Sequence, residues 1–214
     1  NKKVKSIVII SAGFKEIGDE GAALEKRIAS KLKKAGIRLF GPNTLGFINN
    51  SINLNLSFAR ENPGDGSIAF ISQSGAFCTA ILDMAVRDNI GFSKVISIGN
   101  KADIFENELI EYLQSDKDTD AIAIYLEEFK DGKDFIDIAQ SSQKPMIIIA
   151  PGSSQEAKEA ISSHTGSLAS SYDTTLAAIE KSNLIKVESS EELFDTIKVI
   201  SGKKFPKGKG VGII

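Results

Sequence analysis

The stretch Ser67-Ile-Ala-Phe-Ile71-Ser-Gln-Ser-Gly75 decides the fold. After Ser67, residues 68–71 form a short, continuous apolar run, which is typical of a strand buried on both faces of a parallel sheet. A polar turn follows at residues 72–75, and the apolar spacing after it predicts a helix over residues 76–87. A strand, a short turn and a helix in this order form the repeating unit of an α/β protein.

The same alternation continues downstream. Further strands are predicted at residues 94–98, 120–126, 146–150 and 184–187, and further helices at 104–114, 132–141, 168–182 and 190–200. Five strands separated by helices predict a flavodoxin-like, doubly wound parallel sheet with helices on both faces. Every loop that follows a strand then reaches the same edge of the sheet, which is where ligands bind in this class of fold.

A smaller β-α-β unit precedes this series. Its strands are predicted at residues 6–10 and 37–40, and its helix at 21–35, with Asp19 as N-cap and Gly36 just beyond the C-terminus. Residues 47–66 are rich in asparagine and end in a Pro-Gly-Asp-Gly turn cluster, which predicts a domain boundary. We therefore expect one domain over residues 1–62, a second over 63–202, and a linker with the first strand of a further domain over 203–214.

Composition and charge argue against several classes of partner and site. The 214 residues carry a net charge of −2 with acids and bases interspersed, which gives no electrostatic case for nucleic acid or an anionic membrane. No apolar run approaches the roughly 20 residues of a membrane span. The single cysteine, Cys78, excludes an intramolecular disulfide and a cysteine-built metal site. We interpret Cys78 as a small core residue and predict a cytoplasmic location.

The sole histidine lies in Ser162-Ser-His-Thr-Gly-Ser167, between small polar residues and a predicted helix. His164 is either a surface residue without a role or a nucleophile toward phosphorus, since a neutral imidazole can form a phosphoramidate and pass the phosphoryl group on. A lone imidazole without clustered ligands predicts no metal site.

Three other loops leave alternatives open. The turn at residues 72–75 is either an ordinary serine N-cap or a helix start that binds an anion. Glu127 and Glu128 are either a solvated pair at a strand end, or Glu127 orients an imidazole through a hydrogen bond. Lys101 and Asp103 either pair with one another or contact a carboxylate or phosphate of a substrate.

Six motifs occur together in an order that resembles one known family, the NDP-forming acyl-CoA synthetases. This family includes the ADP-forming acetyl-CoA synthetases and the α subunit of succinyl-CoA synthetase. The motifs are Ile9-Ile-Ser-Ala-Gly-Phe-Lys-Glu16, Gly41-Pro-Asn-Thr-Leu-Gly46, Ile71-Ser-Gln-Ser-Gly-Ala76, Ser97-Ile-Gly-Asn-Lys-Ala-Asp103, Tyr125-Leu-Glu127 and Ser163-His-Thr-Gly166. The resemblance implies that residues 1–62 are the C-terminal part of a Rossmann-like CoA-binding domain and that the flavodoxin-like domain is a ligase domain.

The resemblance also implies roles for individual residues. His164 would be the phosphorylated histidine and Glu127 the carboxylate that holds it. The implied phosphate-binding residues are Ser72, Ser74, Gly75, Thr165 and Gly166. The implied CoA or substrate contacts are Gly41, Pro42, Asn43, Asn100, Lys101 and Asp103. The roles of Phe14 and Glu16 stay open.

The implied reaction interconverts acyl-CoA, ADP and phosphate with a carboxylic acid, CoA and ATP, through an acyl phosphate and a phosphohistidine. The implied cofactors are CoA and, through an ATP-grasp domain or subunit outside this chain, ATP or ADP with Mg²⁺. The implied assembly is an oligomer. The alternative is a ligand-sensing, synthetase-like regulatory domain of a protein lysine acetyltransferase, which often lacks the histidine. A response-regulator receiver would share the fold, but it needs a phosphorylatable aspartate where this chain has residues 72–74.

Overall fold

A computed structural model of the chain describes residues 3–149, 170–201 and 210. The first unit contains two parallel strands, β1 (Ser6–Val8) and β2 (Arg38–Phe40), joined by helix α1 (Asp19–Lys34). A single 3₁₀ turn, Lys15–Ile17, lies between β1 and α1. Gly36 follows the helix with φ of +67°, the left-handed conformation expected of a residue just past a helix C-terminus. The predicted β-α-β unit is therefore confirmed.

A seven-stranded sheet forms the larger part of the protein. Its strands lie in the order β4-β3-β6-β5-β7-β8-β9. The strands are β3 (Gly46–Asn49), β4 (Leu54–Ser57), β5 (Asp65–Ser72), β6 (Phe92–Ser97), β7 (Ala121–Tyr125), β8 (Met146–Ile149) and β9 (Ile185–Val187). The last five are parallel to one another, and their spatial order of second, first, third, fourth and fifth is that of flavodoxin. The flavodoxin-like prediction is confirmed.

Helices cover both faces of this sheet. They are α2 (Gly75–Arg87), α3 (Glu106–Ser115), α4 (Gly132–Ser141), α5 (Ser170–Lys181) and α6 (Ser190–Ser201). Ile68 and Phe70 of β5 pack under α2 and α6, while the alternate residues Ala69 and Ile71 pack under α3 and α4. Successive strand side chains point to opposite faces, so the continuous apolar run is explained by two cores on one strand.

Two local predictions differ from the structure. Gly18, not Asp19, is the N-cap of α1, and Asp19 is the first residue of the helix, where its negative charge faces the positive end of the helix dipole. The asparagine-rich segment also holds the antiparallel hairpin β3–β4, whose first strand pairs with β6. The hairpin thus extends the larger sheet although it precedes residue 62, and the boundary between residues 62 and 63 stays a prediction. Within the described residues, no helix is both long and apolar enough to cross a membrane.

Candidate active site

A cavity of about 640 Å³ opens at the carboxyl ends of the strands. Loops that follow β1, β2, β5, β6 and β7 all contribute to its wall. The lining residues are Ile10, Ser11, Ala12, Lys15, Glu16, Asn43, Thr44, Leu45, Phe58, Gln73, Ser74, Gly75, Ala76, Thr79, Gly99, Asn100, Glu127 and Glu128. The cavity lies where the topology of an open α/β sheet places a ligand site, and it joins the first unit to the larger sheet.

Helix α2 begins at the cavity wall. Ser74 is its N-cap, and the Ser74 hydroxyl accepts a hydrogen bond from the Phe77 N–H at 3.2 Å. The fully buried Ser72 donates its hydroxyl proton to the Ser74 carbonyl at 2.7 Å and does not line the cavity. The N–H groups of Gly75 and Ala76 belong to the first helical turn, whose amides have no partner within the helix. This helix start therefore combines an ordinary serine cap with amide groups and a dipole that favour an anion.

The side chain of one glutamine holds the turn after β7. Gln73 Oε1 accepts hydrogen bonds from the backbone N–H groups of Glu127, at 3.1 Å, and Glu128, at 3.3 Å. Burial raises the pKa of the Tyr125 hydroxyl to about 12, and the negative charge of Glu127 adds to the effect. The Glu127 charge is therefore close to the stacked pair that Tyr125 forms with Phe77, whose ring centroids are 4.3 Å apart.

Glu128 has a different environment from its neighbour. Its carboxylate pairs with Lys15 Nζ at 3.1 Å, with 34% of the lysine and 29% of the glutamate side chain exposed. Burial raises the pKa of Glu128, but the charges on Lys15 and Lys101 and the hydrogen bond from Lys15 outweigh it, so the pKa lies below its ordinary value. Of the two glutamates, Glu128 is thus bound to the first unit, and Glu127 lies beside Tyr125.

Lys101 lies behind this turn and does not line the cavity. Its side chain is 1% exposed and pairs at 3.1 Å with Glu106, which is completely buried. Lys101 Nζ also donates to the Glu128 carbonyl at 2.6 Å, and Glu106 Oε1 accepts from the Lys130 N–H at 2.6 Å. The ion pair therefore fixes the backbone of the segment that carries Glu127.

Asp103 is also engaged away from the cavity. Its carboxylate accepts from Arg38 Nε at 2.9 Å and from the Leu39 N–H at 2.8 Å. Burial raises the pKa of Asp103, yet the hydrogen bonds from Arg38 and Leu39 outweigh it and hold the pKa below its usual value. Asp103 thus joins the loop after β6 to β2 and does not pair with Lys101.

The loop after β2 is packed tightly against the loop after β6. The backbone N–H of Asn100 donates to the Pro42 carbonyl at 2.9 Å, and the N–H of Ala102 donates to the Gly41 carbonyl at 3.1 Å. Gly99 has φ of +60°, and a Cβ there would lie 2.2 Å from the Pro42 oxygen. Gly41 and Pro42 are buried and form the base of the loop, whereas Asn43 and Asn100 reach the cavity.

The flavodoxin order of the five parallel strands agrees with the family to which the sequence is similar. Residues 65–200 match the model of the succinyl-CoA ligase-like flavodoxin domain. The chain belongs to this family.

Among the relatives of this succinyl-CoA ligase-like chain is the ADP-forming acetate–CoA ligase I of Archaeoglobus fulgidus. The two are 48% identical over 196 residues, which are 91% of this chain and 29% of that protein. The α subunit of the ADP-forming acetate–CoA ligase I of Pyrococcus furiosus is 40% identical over 215 residues, covering 100% of this chain and 46% of that subunit. The chain thus spans less than half the length of either relative, and the resemblance to the NDP-forming acyl-CoA synthetases is confirmed.

A solved structure gives the same assignment. The chain superimposes with a TM-score of 0.89 on a dinucleotide-forming acetyl-coenzyme A synthetase 1 from Ca. Korarchaeum cryptofilum, in complex with phosphate and ADP. The identity is 37%, and the match covers 96% of this chain and 45% of that chain.

The predicted site residues of this succinyl-CoA ligase-like chain fall into three groups. Five line the cavity: Asn43, Ser74, Gly75, Asn100 and Glu127. Five lie outside its lining: Gly41, Pro42, Ser72, Lys101 and Asp103. The remaining three, His164, Thr165 and Gly166, lie outside the described residues. In the part of the chain that the structure describes, no three His, Cys, Asp or Glu side chains are grouped to hold a metal ion.

Sequence reasoning assigned no role to four residues that shape the cavity. Gln73 holds the turn after β7, Lys15 pairs with Glu128, and Glu16 and Glu25 both bind Asn100. Gln73, Lys15 and Glu16 lie inside motifs that carried the resemblance, which was the available signal. Glu25 lies in a helix with an otherwise ordinary pattern, and only its burial at 9% exposure reveals it.

Proposed function

We propose that this chain is the CoA- and phosphate-handling part of an ADP-forming acyl-CoA synthetase. The observation that supports this most directly is the meeting of the α2 helix start and the Glu127–Glu128 turn at one cavity, on the sheet edge where phosphate and an acyl-CoA would have to meet. Acetate is the acid in the names of the two relatives above, whereas the cavity alone does not select an acyl group.

The first step uses phosphate as the nucleophile. A phosphate oxygen attacks the thioester carbonyl carbon of acyl-CoA, the C–S bond breaks, and the products are an acyl phosphate and CoA thiolate. The Gly75 and Ala76 amides and the α2 dipole would stabilise the phosphate charge, which is the main contribution a protein makes to phosphoryl chemistry. Asn43 and Asn100 would contact the CoA end of the substrate, with Gly41 and Pro42 shaping the loop that carries Asn43.

The second step transfers the phosphoryl group to His164. An imidazole nitrogen attacks phosphorus, the bond between phosphorus and the bridging acyl oxygen breaks, and the carboxylate leaves with that oxygen. Glu127 would accept a hydrogen bond from the other ring nitrogen and so fix the reactive tautomer. Thr165 and Gly166 would bind the phosphoryl oxygens, and Ser72 and Ser74 would support the helix start. Since Lys101 and Asp103 are engaged elsewhere, we propose that they hold loops and do not touch the substrate.

The phosphoryl group then moves from His164 to ADP. We propose that ADP and Mg²⁺ bind to an ATP-grasp domain or partner subunit, that the assembly is oligomeric, and that it acts in the cytoplasm. The Pyrococcus furiosus relative supports the partner, because its name is that of an α subunit. The regulatory alternative, a domain of a lysine acetyltransferase, gains no support from the relatives described above.

The test is phosphorylation of the full-length protein. Incubation with labelled phosphate and acetyl-CoA, or with labelled ATP, should give an acid-labile, alkali-stable phosphoryl group at His164, located by mass spectrometry. His164→Ala should abolish both the label and ATP formation. Full activity of His164→Ala, or a regulator's behaviour in which acetyl-CoA binds without label or turnover, would overturn the proposal.

A further inference from the structure

Two carboxylates at the edge of the cavity bind the same amide. Asn100 Nδ2 lies 2.6 Å from Glu16 Oε2 and 2.8 Å from Glu25 Oε2. Both glutamates come from the first unit, one from the turn after β1 and one from α1, whereas Asn100 comes from the loop after β6. An ionised carboxylate only accepts hydrogen bonds, so Asn100 must present its NH₂ group to the glutamates and not its oxygen.

The ionised state of Glu16 has its own support. Its Oε1 accepts hydrogen bonds from the N–H groups of Gly13, at 2.5 Å, and Phe14, at 3.0 Å. Burial raises the pKa of Glu16, but the hydrogen bonds from Asn100 and from these backbone groups outweigh it, so the pKa lies below its ordinary value. The carboxylate is therefore charged at neutral pH.

The orientation of Asn100 dictates that of Asn43. With both NH₂ protons directed to the glutamates, only Asn100 Oδ1 remains for Asn43, and it accepts from Asn43 Nδ2 at 3.2 Å. Asn43 is left with its own Oδ1, which accepts no hydrogen bond from the described residues and is not a buried atom. The Asn43 backbone is itself fixed, because its N–H donates to the Ser11 carbonyl at 3.0 Å. The cavity wall at Asn43 thus offers an acceptor.

We propose that Glu16 and Glu25 are positioning residues that act through Asn100 to make Asn43 present its carbonyl oxygen to a hydrogen-bond donor at the reactive end of CoA. The donor is the thiol or the amide N–H nearest to it, and the same oxygen disfavours a phosphate or carboxylate at this point. This inference rests on the proposed function. It gives Asn43 a specificity role, and it gives Glu16 a task that the sequence left open.

The test measures CoA binding to the full-length protein by isothermal titration calorimetry. N43G removes the side chain while allowing the φ of +56° at this position. It should weaken CoA binding by about 2- to 10-fold, the value of one ordinary hydrogen bond. E16Q/E25Q, which frees the Asn100 amide to rotate, should weaken CoA binding by no more than N43G does. E20Q, an exposed glutamate at the start of α1, is the matched control and should bind CoA like the unchanged protein.

The combination of variants separates positioning from general damage. Added to N43G, E16Q/E25Q should cause no further loss of CoA affinity, because the oxygen through which the glutamates act is absent. Independent, multiplicative losses would overturn the inference, as would unchanged CoA binding in N43G. If E16Q/E25Q does not fold, the single variants E16Q and E25Q each break one of the two contacts to Asn100 and are read in the same way.

A second ligand identifies the donor. Desulfo-CoA lacks the thiol. If the thiol is the donor, N43G should leave the affinity for desulfo-CoA unchanged. If the amide is the donor, N43G should weaken the binding of desulfo-CoA as much as the binding of CoA. An unchanged protein that binds no CoA would overturn the proposed function itself. An unchanged protein that binds CoA while N43G has no effect on either ligand would overturn only the role of Asn43.

Discussion

Removing the buried charge of Lys101 should be the most damaging change outside the apolar core. In K101M, Glu106 would keep a carboxylate that is 0% exposed and has lost the cation 3.1 Å away. Truncating one member of a buried ion pair typically costs about 3–5 kcal/mol, because the remaining charge stays out of water without compensation. The Glu128 carbonyl would also lose its hydrogen bond from Lys101 Nζ. We expect the free energy of unfolding to fall by about that amount.

The matching double variant shows whether the orphaned charge is the cause. E106Q in the K101M background removes the negative charge, while the side-chain amide oxygen that it introduces can still accept from the Lys130 N–H that Glu106 Oε1 binds now. The double variant should therefore be more stable than K101M alone, although it carries two substitutions. The control is K15M, which breaks the partly exposed pair with Glu128 and should cost less than about 1 kcal/mol.

Urea denaturation followed by circular dichroism measures all four proteins. A shift of the midpoint at constant slope reports a change in stability, whereas a change in slope reports a change in the folded or denatured state. The reasoning is refuted if K101M loses no more stability than K15M, or if E106Q makes K101M still less stable. If K101M is as stable as the unchanged protein but binds CoA more weakly, Lys101 contacts the substrate, as the sequence predicted.

Two further outcomes follow from the cavity wall. S74A removes the oxygen that accepts from the Phe77 N–H, so it should lower the unfolding free energy by about 0.5–2 kcal/mol in the same urea assay; S51A, at an exposed serine, provides a serine-to-alanine comparison. Because the pKa of Glu128 is lower in the folded protein than its ordinary value of 4.5, its ionisation should stabilise the fold at pH values above 4.5. This contribution should disappear as the pH falls through the folded-state pKa. E128Q should therefore flatten the acid limb of a stability–pH curve, and an unchanged limb would contradict the assignment.

The parallel sheet could be predicted because its signal is local. The apolar run of β5 supplies one core through Phe70 and the other through Ile71, so its pattern alone reveals burial on both faces. The hairpin β3–β4 gave no comparable signal. Its strands are four residues each, and the two central residues of β4, Asn55 and Leu56, are exposed, so the asparagine-rich composition predicted a boundary and no strands. The strands form because β3 pairs with β6 and β4 pairs with β3. Tertiary pairing overrides propensity in such short segments.

The cavity was predicted in position but not in detail, and the loop after β6 shows why. Asn100 and Lys101 are adjacent, and the same resemblance implied substrate contact for both. Gly99, just before Asn100, has φ of +60°, and Lys101, just after it, has φ of +59°, so the backbone reverses within three residues and the two side chains point to different places. Asn100 reaches the cavity, whereas Lys101 enters a pocket whose other charge, Glu106, is supplied by the next helix. Residue type and spacing carry no information about that reversal, because a cation suits a phosphate and a buried carboxylate equally well. Only the partner that the fold brings within 3.1 Å distinguishes a residue that contacts the substrate from one that holds the loop beside it.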